Sequence, residues 1–280
     1  MPIFEEKSLG ELPDEVIDAA SRDIIKYIVG LVRIEASSRG QDAILLGSGT
    51  LVSIGKIYAI LTAHHVVSIL PLKGRLGLIL TPNLHQHTID TQGIYYLEID
   101  RGSIDSDGPD LGAIILGQTI GSAIAAKKTF YNLDLRREKM LQNPPHHHDG
   151  FWFINGFIDE DTIEEPGRDG YTLIKKFHNL SGAGGPEKSI LIGEHDYFEF
   201  PVSYGGRAVA PISFGGMSGG GLWQVPLIRN NQGEIVHKSP LLSGVVFYQV
   251  PTTETSCGVK CHGRQSIYNF AYEKIKNMTS

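Results

Sequence analysis

Ser218 is flanked by glycines on both sides: the stretch "GGMSGGG" at 215–221 holds five glycines, one methionine and one serine. Glycine loses the most conformational freedom on folding, so such a run is costly unless the backbone there turns tightly or lies close against something. A lone serine is a poor nucleophile at neutral pH and attacks carbonyls only with a base beside it and a third group to orient that base. The sequence offers both upstream. In "ILTAHHVV" a strand-like run leads into His64 and His65, and in "DGPDLGAIIL" Asp110 stands at the mouth of an apolar strand. Burial there suits an aspartate that stays ionised while it accepts an imidazole N–H. Acyl transfer also needs backbone N–H groups aimed at the oxyanion of the tetrahedral intermediate. The N–H groups of Gly216 and Ser218 are the candidates, with Gly215 and Gly219 leaving turn and substrate unobstructed.

Taken in order, "GSGTLV" at 47–52, "LTAHHVV" at 61–67, "PDLGAIIL" at 109–116 and "GGMSGG" at 215–220 resemble the trypsin/chymotrypsin-fold serine proteases, in particular their bacterial trypsin-like and HtrA-type branch. The resemblance covers roughly residues 31–280. It implies His65 as general base, because that histidine directly precedes Val66 in the T-A-x-H-V pattern. It further implies Asp110 as the orienting carboxylate, Ser218 as the nucleophile, and the N–H groups of Gly216 and Ser218 as the oxyanion hole. Ile212 matches the base of the primary specificity pocket, where cleavage after Lys or Arg needs an acid; Glu254 is a residue that brings one from another wall. Ser243, Gly244 and Val245 open the strand "SGVVFYQV", expected to line the cleft and to pair with extended substrate backbone. Met217 departs from the family's aspartate or asparagine. It forms no ion pair with a freed N-terminus and leaves the loop without a polar anchor, so a preformed hole and one ordered by a partner are both open.

The elements that position these residues read as β-structure framed by two helices. From Pro13 to Val29 the apolar residues Val16, Ile17, Ala20, Ile24, Tyr27 and Ile28 recur at three and four, with Gly30 just beyond, which predicts an amphipathic helix. Short β-branched and aromatic runs follow in two sets: "LVRIEA" to "LGAIIL", then "FWFINGF" to "LLSGVVFYQV". Many short strands without helical periodicity between them predict an antiparallel all-β fold. The polar, proline-broken stretch between the sets reads as a connection. A last helix, "SIYNFAYEKIKNM", presents Ile267, Phe270, Ala271, Ile275 and Met278 on one face. The expected architecture is all-β: two antiparallel six-stranded β-barrels of chymotrypsin type with an N-terminal and a C-terminal helix. Its parts are a helical extension (1–30), a first barrel (31–127), a connection (128–149) and a second barrel with the terminal helix (150–280).

Composition narrows the remaining classes. The chain has 280 residues, 41% hydrophobic, and a net charge of −6 without a basic cluster, which speaks against nucleic acid as a partner. No run approaches the length of a membrane helix, and the acidic N-terminus lacks the features of a signal peptide, so the expected compartment is the cytoplasm. Cys257 and Cys261 with His262, and His146, His147 and His148, raise a metal site, but C-x3-C-H is not a standard zinc spacing and the expected metal is none. The reading is thus a serine endopeptidase without a cofactor, acting on a protein or peptide and controlled by a regulatory protein partner. The alternative is a protease-fold module that holds a peptide without cutting it.

Overall fold

The computed structural model describes residues 12–37, 40–80, 86–102, 108–166, 173–186, 188–203, 213–250 and 256–279. The chain is mostly β. Eight strands form the first sheet: β1 (Ile28–Ser37), β2 (Gly40–Ile54), β3 (Ile57–Thr62), β4 (Arg75–Ile79), β5 (Gln86–Asp90), β6 (Ile94–Arg101), β7 (Asp110–Leu116) and the short β8 (Tyr131–Asn132). Two strands, β9 (Phe151–Phe157) and β12 (Asn179–Gly184), begin the second sheet, with the hairpin β10 (Ile163–Pro166) and β11 (Leu173–Lys176) between them. It continues through β13 (Lys188–Ile192), β14 (His195–Ser203), β15 (Gly221–Val225), β18 (Leu241–Val250) and β19 (Ser256–His262), with the hairpin β16 (Leu227–Arg229) and β17 (Ile235–His237) set outside it. Pairing is antiparallel throughout except for β8, which runs parallel to β2.

The two sheets share a winding pattern that no sequence repeat announces. The first runs β5-β4-β1-β2-β3-β7-β6 and the second β12-β9-β15-β18-β19-β14-β13. Taking β1, β2, β3, β4, β6 and β7 as the first to sixth strands of one, and β9, β12, β14, β15, β18 and β19 as those of the other, both follow one ring: first, second, third, sixth, fifth, fourth. Each ring has one seam without strand pairing among the described residues, fourth to fifth in the first sheet and second to third in the second. Across the latter, β12 and β14 remain neighbours.

Two local expectations change. The first helix, α1 (Asp14–Ile24), stops short of Val29 and passes through a 3₁₀ turn, after which Ile28 and Val29 already pair with Thr50 and Gly49 as part of β1. Strand pairing and burial of a β-branched run outweigh the helical periodicity there. The connection holds β8 and α4 (Asp134–Gln142) and follows α3 (Gln118–Ala125), with the five-residue α2 (His64–Ser68) earlier in the chain. The terminal helix begins with a π-helical segment, Ser266–Ala271, before α5 (Tyr272–Lys276). The wider turn rotates the buried face, so Tyr268 and Tyr272 pack inside beside Ile267, Ala271 and Ile275, while Met278 is 38% exposed.

The largest core lies where the two sheets meet. Val52, Leu61 and Ala113 of the first sheet pack there with Phe153, Trp223 and Leu242 of the second, closed by Val16, Ala20 and Ile24 of α1 and by Ile267 and Tyr268. The apolar stripe of α1 is therefore spent inside the fold. Among the described residues no helix is long and apolar enough to cross a membrane.

Candidate active site

β2 is the platform on which the site assembles. β3 is buried along its last four residues and runs into α2, whose Val66 and Val67 are buried. A Cβ added at Gly47 of β2 would lie 2.8 Å from Val66 and 3.1 Å from the Ser218 carbonyl oxygen. The segment carrying His65 and the loop carrying Ser218 thus converge on one bare strand position. On the other side, a Cβ at Gly112 of β7 would lie 2.7 Å from Val67 and 3.3 Å from the Cα of His64, so α2 is seated directly on the strand that starts at Asp110.

His65 and Asp110 form a bidentate pair. The imidazole Nδ1 lies 2.6 Å from Asp110 Oδ2, and the His65 backbone N–H donates to Oδ1 at 2.8 Å. Both carboxylate oxygens are engaged, which fixes the ring's direction. In the neutral ring the Nδ1 bond keeps the proton on that nitrogen and leaves Nε2 as the basic one. The histidine side chain is 49% exposed and the aspartate 19%, so the base faces the cleft while its partner is screened. Burial pushes the Asp110 carboxyl up, but the side-chain hydrogen bond from His65, the charge of that ring and its backbone N–H together hold it below the usual carboxylate value. His64 points elsewhere, with Nε2 3.5 Å from Glu98 Oε2.

The serine loop consists of two successive turns. Met217 N–H donates to Phe214 O at 2.9 Å with Gly216 at φ 91°, and Gly220 N–H donates to Met217 O at 2.8 Å with Gly219 at φ 93°. A positive φ at the third position of each turn requires glycine. From Ser213 to Gly220 nearly every N–H is spent: Ser213 on Glu160, Phe214 on Gln249, Gly215 on the Ser213 hydroxyl, Met217 and Gly220 within the turns, and Gly219 on Val246 O. The two without an acceptor among the described residues are those of Gly216 and Ser218.

Their directions are fixed as well. The carbonyl and N–H of a trans peptide point opposite ways. Gly215 O accepts from Asp159 N–H at 2.8 Å and Met217 O from Gly220 N–H, so the Gly216 and Ser218 N–H groups face away from those bonds. Ser48 completes the frame: its buried hydroxyl donates to Gly216 O at 2.7 Å and accepts from Phe157 N–H at 2.8 Å, while its own N–H donates to Ser218 O at 2.8 Å. Met217 is fully buried with Trp152, Ile154, Phe214 and Leu222, so an apolar side chain anchors the loop.

Ser218 is half-buried, and no hydrogen bond joins its hydroxyl to the His65 ring. Such contacts are often long before substrate binds. Ile212 and Glu254 lie outside the described residues. The expectation for Ser243, Gly244 and Val245 needs correction: Ser243 and Val245 are fully buried, Gly244 lies opposite Leu222 of β15, and Val245 lies opposite both Gly221 of β15 and His262 of β19, so Val245 offers a substrate no edge. Val246 exchanges bonds of 2.7 and 2.8 Å with the serine loop, and beyond it β18 pairs with β19.

Sequence reasoning missed Ser48, although it lies within the "GSGTLV" stretch, and it grouped His262 with cysteines. His262 is buried, and its Nε2 accepts the Asp110 N–H at 3.0 Å. Burial pushes its pKa down to about 3, with the nearby His195 acting in the same direction. Cys261 is a free, buried thiol whose pKa burial raises, and the His147 ring packs on Trp152 and Phe198. Among the described residues no three His, Cys, Asp or Glu side chains are grouped to hold a metal ion. Comparison of the sequence with protein-family models and with curated proteins finds no match.

Proposed function

We propose that the chain is a serine endopeptidase. The observation that carries this reading is the pair of fixed, unspent N–H groups at Gly216 and Ser218, on the same β2 platform as the His65–Asp110 pair. Ser218 attacks the scissile carbonyl. His65 Nε2 takes the hydroxyl proton and later returns it to the leaving amine, and Asp110 holds the ring in the required tautomer. The two N–H groups receive the oxyanion, each worth about 2.7–4 kcal/mol in the transition state. The common ring order of the two sheets supports reading them as two six-stranded barrels of the trypsin/chymotrypsin fold, each with one seam unpaired. The reading needs no cofactor, and the fixed loop gives a regulatory partner no role in forming the hole.

The absence of a Ser218–His65 hydrogen bond favours a second reading, a cleft that holds peptide without cutting it. One experiment separates the two. The purified chain is treated with a fluorophosphonate probe, beside Ser218→Ala and His65→Ala, and the adduct is located by mass spectrometry. The peptidase reading expects modification of Ser218 that depends on His65, and turnover of susceptible peptides reduced about 10⁶-fold in Ser218→Ala. A folded parent that stays unmodified and hydrolyses no peptide refutes it.

A further inference from the structure

We infer that His262 is a positioning residue for the His65–Asp110 pair, so that the second sheet sets the geometry of a base and a carboxylate carried by the first. In its catalytic consequence this rests on the peptidase reading. Asp110 spends both carboxylate oxygens on His65, so its own placement depends on its backbone. It is the first residue of β7, where β6 lies opposite it at Arg101, and β3 pairs with that strand only from Gly112 onward. The Asp110 N–H is held instead by His262 Nε2, reaching across from the last residue of β19.

The surroundings of His262 argue that this bond is why a histidine stands there. Its ring is fully buried and lies 4.5 Å from the Phe247 ring and 5.2 Å from the Tyr197 ring, a slot that an aromatic hydrocarbon side chain would fill. With Nε2 accepting, the neutral ring carries its proton on Nδ1, and Nδ1 is buried without a hydrogen-bond partner among the described residues. An unmet buried donor costs stability that a phenylalanine would not. The compensating polar contact is the one to Asp110. A second bond between the sheets stands beside it, His195 Nε2 to Asp100 Oδ2 at 2.7 Å, with the His195 and His262 rings 6.2 Å apart. This bond braces β6 next to the strand that His262 holds.

The test compares His262→Phe, which keeps a ring and loses the acceptor, with His262→Gln, whose Oε1 can still accept the Asp110 N–H. Two readouts are taken on the full chain: the downfield proton resonance of His65 Nδ1–H, assigned by its loss in His65→Ala, and the rate of Ser218 modification by a fluorophosphonate. A misplacement of about 1 Å costs on the order of 10²-fold in rate. The Phe variant is therefore expected to lose or broaden the resonance and to react about 10²-fold more slowly, with Gln recovering most of both. His262→Leu serves the same comparison if the Phe variant does not fold. Equal behaviour of Phe and Gln, or a resonance unchanged in Phe, overturns the inference. A parent that shows the resonance but does not react refutes the peptidase reading and leaves the positioning role to be judged by the resonance.

Discussion

Replacing Ser48 by alanine removes one oxygen atom from the place where the two sheets and the serine loop join. That oxygen is buried, donates to Gly216 O at 2.7 Å and accepts from Phe157 N–H at 2.8 Å. The cavity left by a hydroxyl is negligible, so the cost is that of two backbone groups deprived of a partner. Each buried group left unmet costs about 1–3 kcal/mol. Taking the lower part of that range, because the loop can relax toward solvent, the loss is about 2–3 kcal/mol for the pair. At about 2–4 °C per kcal/mol in a chain approaching this size, the melting temperature should fall by roughly 5–10 °C. On the proposed function, reactivity should fall too, because the Gly216 carbonyl is a tether that holds the middle of the serine loop to β2. A donor lost outright costs about 10²–10³ in rate, so a loosened one should cost about tenfold in fluorophosphonate reactivity. Thermal unfolding gives the first number, and reaction rates measured well below the transition give the second. A melting temperature within about 1 °C of the parent, or an unchanged rate in a folded sample, refutes the argument that Ser48 ties the loop to the sheet.

Two further outcomes can be checked on the same material. Gly219→Ala places a methyl on the Ser48 carbonyl oxygen and the Thr62 hydroxyl at a residue with φ 93°, a conformation costing about 1–2 kcal/mol for an L side chain before the overlap is counted; the protein should stay folded by circular dichroism yet fail to react at Ser218, and a rate within about threefold of the parent contradicts the packing described. Stability should also decline with acid. His262 titrates near 6.5 when unfolded and at about 3 when folded, so below pH 6.5 the unfolded chain takes up a proton that the folded chain refuses. The stability attached to this histidine is complete above about pH 6.5 and is lost toward pH 3, at up to about 1.4 kcal/mol per pH unit. Asp110, held below its usual value, adds a loss only below about pH 4, as the carboxyl protonates. Urea unfolding between pH 7 and pH 4 should show a shallower decline in His262→Phe, and parallel curves for variant and parent would reject a neutral buried His262.

Local chemistry made much of this protein legible. The strands could be read because β-branched and aromatic runs between turn residues carry their own signal, and a tightly turned backbone around Ser218 could be read from its glycines, although the positive φ falls at Gly216 and Gly219 rather than at Gly215. The pairing of His65 with Asp110 could be expected because a histidine after a strand and an aspartate at a strand mouth are short polar devices on rigid supports. Other features belong to the assembled chain. Nothing in "IVG" says that pairing with Thr50 and Gly49 ends α1 early, and nothing in "SGVVFYQV" says that Val245 is paired on both sides, with Gly221 and with His262. The π-helical start that turns Tyr268 inward, the apolar nest around Met217, and the reach of His262 to the Asp110 N–H are likewise decided by neighbours distant in the chain. The reason is physical: backbone dihedrals, turn glycines and hydrophobic periods are properties of a few consecutive residues, whereas burial and hydrogen-bond direction depend on which strands stand beside one another. That second kind of information is absent from any short stretch and exists only once both sheets have closed on β2.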